Sequence, residues 1–383
     1  MKNTYYFLCA LLMLCLFSCQ NKGSNGSDGS GSSVKTNYSV AKISAKYAEG
    51  FKVNYKDKVC YLDIHDPQKD AAHSYHFALI PRGTSKKGIP SDYTIIETPV
   101  RKVICMTSLQ LSSFIALGDL SPVVGINSTH HLFNQEMKKR LAEGKTQKIG
   151  IEGNFDTEVI TGINPDLILI SPFKRGGFDA LKEVNIPLVP HLGYQEMSPL
   201  GQAEWIKVVG LLLGKEDKAN EVFSGIEKRY NDLKAKAADV KTRPVVFSGE
   251  MRGGNWYAVG GKSFLAQLFK DAGADYFLKD DEHAGGFNLD FEAVYDQAAN
   301  SDYWRIVNSH HGKFSYDALK QEDARYADFK AFRKKQVIYC NMTERPFYES
   351  MPMEPDEVLA DLIKIFHPEL LSDHQAKYYD LLK

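Results

Sequence analysis

Short strands that are apolar throughout, set between helices, constrain this chain more than any other feature. Val103–Met106, Val123–Ile126, Leu167–Ile170 and Pro187–Val189 read as such strands. Leu109–Gly118, Gln135–Glu143, Phe155–Thr161 and Phe178–Val184, which lie between them, read as helices. A strand with no polar side needs cover on both faces, so the pattern predicts a mainly parallel sheet with helices above and below. The pattern recurs further on, with Val245–Ser248, Tyr303–Val307 and Val337–Cys340 as strands and Ser263–Ala272 and Asp356–Phe366 as helices. Between the halves, Ala219, Val222, Phe223, Ile226, Tyr230, Leu233 and Ala237 follow helical spacing. Glu216–Ala238 is thus one amphipathic helix, roughly 34 Å long at 1.5 Å per residue. The fold class is α/β: two lobes, each with a central mainly parallel sheet, joined by one long rigid helix. In open α/β sheets ligands bind beyond the carboxyl ends of the strands, which here means the cleft between the lobes.

Ahead of the first lobe, Phe51, Val53, Val59, Tyr61 and Ile64 stand at strand spacing, as in antiparallel β structure. Further upstream, Tyr5–Phe17 is an apolar run of about 13 residues, too short to span a bilayer and suited to a signal-peptide core. Leu16-Phe17-Ser18-Cys19 at its end resembles a bacterial lipobox, which implies lipidation of Cys19. Nine of the 18 residues in Gln20–Asn37 are Gly or Ser. That composition makes a flexible tether reaching roughly 23 Å. The expected organisation is a signal peptide at 1–18, a lipidated cysteine and linker at 19–37, a β-rich extension at 38–99, a first lobe at 100–214, the connecting helix at 215–238 and a second lobe at 239–383.

Charge and cysteine usage exclude several classes. Lys plus Arg number 47 against 48 Asp plus Glu, so no general basic face for nucleic acid is expected. Beyond the anchor only Cys60, Cys105 and Cys340 remain, each in a strand-like run that suits a small buried hydrophobe. No CxxC or HExxH pattern supports a zinc or redox centre, and no cofactor is expected.

An ordered series of segments carries a resemblance. Ile149-Gly150, Phe155–Gly162 with Glu158, NPDLILI at Asn164–Ile170 and SPLGQAEWIKVVGLLLGKEDKA at Ser198–Ala219 come first. WYAVGGKSFLAQLFKDAGADY at Trp256–Tyr276, ADFKAFRKKQVIY at Ala327–Tyr339 and EPDEVLADLIKIFHPEL at Glu354–Leu370 follow. Together, over about Val100–Leu370, they resemble the periplasmic solute-binding proteins of ABC importers for iron–siderophore, haem and cobalamin. The resemblance implies a lipid-anchored, non-enzymatic subunit that captures an iron chelate, foremost a siderophore. It would deliver this cargo in the periplasm to a permease with its ATPase. Cobalamin or haem as cargo, and a stand-alone chelate-scavenging lipoprotein, are the alternatives. A chelate-acting enzyme lacks a nucleophile–base pair. The family docks on its permease through acidic residues, which by position fall at Asp179 and at Asp317 or Glu322.

Residues just after strands are the ones aimed at the cleft. Phe173, Lys174 and Arg175 follow the third strand of the first lobe, and a cationic pair there suits an anionic chelate or else a solvated loop. Arg252, Trp256 and Tyr257 follow the first strand of the second lobe, in a Gly-rich stretch; ligand contact is favoured for Trp256 over a place in the core. Arg345, Phe347 and Tyr348 follow the last strand and form a third candidate wall, the alternative being packing beneath the closing helix. His130-His131 and His310-His311 are adjacent pairs whose side chains point apart, a poor arrangement for one metal ion. Gly260–Ser263 reads GGKS, but Trp256 stands where a phosphate-binding loop needs glycine, so Ser263 is expected to cap a helix instead.

Overall fold

The computed structural model describes residues 42–69, 74–127, 129, 131–151, 153–172 and 178–383. The first-lobe sheet runs in the order Leu188–Pro190, Leu167–Ile170, Val103–Cys105, Val123–Ile126, Gln147–Lys148, with every pairing parallel. Leu167–Ile170 is buried at all four positions, as an all-apolar strand requires. The second-lobe sheet runs Asp275–Tyr276, Val245–Ser248, Tyr303–Asn308, Val337–Asn341, Asp380–Leu381. Its first three pairings are parallel and the last, made by the C-terminal segment, is antiparallel.

The connecting helix spans Glu216–Lys236 and buries Ala219, Phe223, Ile226 and Tyr230. Glu216 and Asp217 in its first turn and Lys234 and Lys236 in its last oppose the helix dipole at both ends. It packs against the first-lobe helix Ile206–Leu213 and the second-lobe helix Pro355–Phe366. Tyr230 donates its hydroxyl to Asp271 at 2.8 Å, which pins the helix to the second lobe.

The extension forms a four-stranded sheet of Phe51–Lys56, Val59–His65, Ser74–Pro81 and Thr94–Thr98. Alternation implied antiparallel pairing, but the last pair is parallel, because Arg82–Tyr93 carries the chain back before the fourth strand starts. Two buried carboxylates fasten this sheet to the first lobe. Glu204 accepts the backbone N–H groups of Lys46, Tyr47 and Ala48 at 2.6–2.9 Å and pairs with Lys207 at 2.6 Å. Glu196 accepts from Glu49 and Gly50, both at 2.9 Å, and from the Trp205 indole at 2.7 Å.

His191 lies under this junction, with its ring centroid 5.0 Å from that of Trp205 and no hydrogen-bond partner for either nitrogen. Burial pushes its imidazole down from 6.5 to about 4. Well above pH 6.5 the ring is neutral folded or unfolded and adds no pH dependence. Between pH 6.5 and 4 the unfolded chain takes up the proton and the folded one does not, so stability falls by up to about 3 kcal/mol. His191→Leu is expected to flatten the pH dependence of the urea midpoint in that window. Burial raises the nearby Glu196 carboxyl, which acts in the reverse sense in both proteins. Identical pH profiles for the two proteins would refute the assignment to His191.

Candidate ligand-binding cleft

At the carboxyl end of Val245–Ser248 the chain runs through Gly249 and Glu250 into a tight hairpin, Met251–Arg252 against Asn255–Val259. Gly253 and Gly254 form its two-residue loop with φ of +57° and +89°, the both-positive pair that a type I′ turn demands. Period-two alternation then turns Trp256 and Ala258 inward and Tyr257 outward. Trp256 is fully buried and donates its indole N–H to Ser248 O at 3.0 Å. Its ring packs among Phe247, Phe291, Trp304, Tyr326 and Phe329. Tyr257 is 43% exposed and lies across Gly286, where an added Cβ would run into its hydroxyl.

Ser248, Glu250, Arg252, Tyr257, Arg305 and Val307 line a cavity of about 100 Å³ beside the hairpin. Arg252 donates to Glu250 at 3.0 Å, and its guanidinium lies 5.9 Å from the Tyr257 ring centroid. Arg305 donates to the Tyr379 hydroxyl at 2.5 Å and to Ser248 at 3.3 Å. Burial raises the Tyr348 hydroxyl pKa while Arg252 and Arg305 oppose the rise, so both guanidinium groups act on that ring. The first lobe meets this region directly. His131 Nε2 is 3.3 Å from Ser309 Oγ, and its ring centroid is 6.1 Å from that of Tyr348. Glu349, buried, accepts the Phe133 backbone N–H at 2.8 Å. Elsewhere in the first lobe, Gly150–Ile151 pairs with Asn154–Phe155 and leaves Ile151 69% exposed.

A sequence profile described as periplasmic binding protein matches residues 103–342. The chain belongs to the periplasmic binding protein family. This binding protein is 24% identical over 307 residues to an uncharacterized lipoprotein of Methanocaldococcus jannaschii, spanning 77% of this chain and 72% of that one. A solved periplasmic heme binding protein from Pseudomonas aeruginosa matches with a TM-score of 0.55 at 20% identity, over 70% of this chain and 93% of that one. A solved ABC-type Fe3+-hydroxamate transport protein from Saccharomonospora viridis matches at 0.54 and 21%, over 70% and 94%. At these identities the solved structures bear on the fold alone.

The binding protein gathers Arg252, Tyr257 and Tyr348 into one neighbourhood. Arg345 is held by an ion pair with Asp380 of the C-terminal strand. Trp256, favoured in the sequence as a ligand contact, is a core residue instead, because the tight turn sets the strand register that points it inward. Glu322 ends the helix Tyr316–Glu322, where burial raises its carboxyl pKa and the Glu250 carboxylate adds to the rise. Cys19, Phe173, Lys174 and Arg175 fall outside the described residues, and for Asp179 the backbone alone is described. Ser263 caps its helix by accepting the Ala266 N–H at 3.2 Å. Cys105 and Cys340 are buried, Cys60 partly so, and all three are free. Arg305 and Ile151 went unremarked in the sequence. An arginine between Trp304 and Ile306, both buried, was the available signal for the first, since it must face the other side of its strand. Ile151 gave none, being an ordinary residue in a short polar stretch. Among the described residues, no three His, Cys, Asp or Glu side chains are arranged to hold a metal ion.

Proposed function

We propose that this binding protein captures a ferric chelate, a siderophore foremost, between its lobes and hands it to an ABC permease. The observation that carries this reading is the convergence of Arg252 and Arg305 with Tyr257 and Tyr348 at the carboxyl ends of the second-lobe strands. A chelated ferric ion already has its ligands, and what the protein must hold is the anionic oxygen shell. Guanidinium forks and tyrosine hydroxyls suit that shell. The names of the solved heme-binding and hydroxamate-transport proteins support the same cargo class. In this reading 100–214 and 239–383 are the lobes, and the helix within 215–238 is a strut that limits closure. Phe173, Lys174, Arg175 and Arg345 are further ligand-binding residues in this reading, and Asp179 and Glu322 meet the permease. A lipid on Cys19 holds the protein to the cell membrane with its cleft facing the periplasm.

One contact favours haem as a second reading: Tyr348 and His131 are ring types that ligate haem iron, and their centroids lie 6.1 Å apart. Calorimetric titration of the purified full chain with a ferric hydroxamate, haemin and cobalamin separates the cases. Saturation by the hydroxamate at micromolar affinity or tighter supports the siderophore reading. A haemin Soret shift that Tyr348→Phe abolishes moves the assignment to haem, and saturation by cobalamin alone overturns iron. For the anchor, Cys19→Ser is expected to move the protein from the membrane fraction to the soluble one. Unchanged partitioning would show that no lipid on Cys19 holds it.

A further inference from the structure

We infer that the N-terminal sheet is a working part of the cleft, in which Gln68 positions the second-lobe segment beneath Tyr257. This rests on the reading of the cleft as the ligand site. After the strand Val59–His65 the chain turns a corner that Asp66 organises: its carboxylate accepts the Gln68 N–H at 3.0 Å and the Gln195 side-chain amide at 3.3 Å. Gln68 Nε2 in turn donates to Gln195 O at 2.8 Å. Gln195 ends the turn Gly193–Gln195, which closely follows the first-lobe edge strand Leu188–Pro190. The same Gln68 side chain meets the second lobe with its other end, since a Cβ built on Gly285 would stand 3.0 Å from Gln68 Oε1.

Gly285 is no isolated neighbour. Its carbonyl accepts the Gly260 N–H at 3.0 Å, and it leads into Gly286–Leu289, the strand paired with Asn255–Val259. Tyr257 pairs with Asn288 and lays its ring over Gly286. One uncharged side chain therefore spans from the first-lobe turn to the strand on which Tyr257 rests. The sheet that carries it cannot drift, because Glu204 and Glu196 hold residues 46–50 to the first lobe. The consequence is a fixed spacing between the first-lobe turn and the Tyr257 wall, imposed by a segment that lies ahead of the residues matched by the family profile.

Hydrogen exchange on the ligand-free full chain tests the brace without reference to cargo. Gln68→Ala is expected to speed exchange in Asn255–Val259 and Gly286–Leu289 about tenfold while leaving the first-lobe sheet and the urea midpoint unchanged. Unaltered exchange there overturns the brace. Affinity for the ferric hydroxamate and haemin probes then tests positioning. Gln68→Ala should weaken whichever probe saturates the parent about tenfold, and should add nothing further in a Tyr257→Ala background, since the two act through one element. Additive effects, or unchanged affinity despite faster exchange, would refute a role through Tyr257. If neither probe binds the parent, the cargo reading fails while the exchange result still decides the brace.

Discussion

Glu204→Ala is expected to cost about 3–5 kcal/mol of folding stability, the scale for breaking a buried ion pair. The carboxylate is fully buried, and its removal leaves the Lys207 ammonium, itself only 9% exposed, without a counter-charge and with the Ser44 carbonyl as its remaining acceptor. It also leaves the backbone N–H groups of Lys46, Tyr47 and Ala48 without their acceptor. The two losses separate experimentally. Glu204→Ala combined with Lys207→Met removes the uncompensated charge and should recover part of the loss. The three amides still lack a partner in that double variant, so recovery stops short of the parent. Urea denaturation of the single and double variants measures both terms, and hydrogen exchange at residues 43–50 should report release of the extension in each. A loss below about 1 kcal/mol for Glu204→Ala, the level of an exposed pair, would mean that the junction is not held as described.

If the proposed ferric chelate is the cargo, Arg305→Ala should weaken its binding roughly tenfold to a hundredfold, the equivalent of about 1.5–3 kcal/mol for hydrogen bonds to a charged group. Arg305→Lys keeps the charge but loses the planar fork, and an intermediate affinity is expected. Because Arg305 also holds the Tyr379 hydroxyl, the control is Tyr379→Phe, which frees the guanidinium without touching the cavity lining. Tyr379→Phe with parent-like affinity and Arg305→Ala with reduced affinity would assign the effect to the ligand. Parent-like affinity for Arg305→Ala, read by the same titration, would leave the residue only a brace for the C-terminal strand.

Sequence pattern captured the architecture because burial on both faces leaves no polar residue to confuse the period. Leu167–Ile170 and Val123–Ile126 appear in the structure with the bounds read from the sequence. The connecting helix was equally legible, since Ala219, Phe223, Ile226 and Tyr230 mark its buried stripe directly. The extension's last strand and the C-terminal edge strand were not, because their direction depends on partners far away in the chain. The cleft was legible by half. The Gly-rich stretch announced a loop holding Arg252 and Tyr257, but a Gly-rich segment does not reveal whether it is an open loop or a hairpin. That distinction alone decides that Tyr257 faces out and Trp256 faces in. The interlobe contacts of Gln68, His131 and Glu349 leave no sequence trace, since single polar side chains in turns are common and their partners lie far off.

In the proposed function, the strut and the contacts of Glu349 with Phe133 and of His131 with Ser309 would give an empty copy nearly the same outline as a loaded one. Discrimination at the membrane must then come from the cargo itself or from small local adjustments, because a partner that binds two states equally shifts neither. Empty copies become competitors for the same berth. Uptake should therefore climb with the amount of this protein only while cargo is plentiful, and decline once unloaded copies crowd the entrance, which ties its optimal expression level to the supply of what it carries.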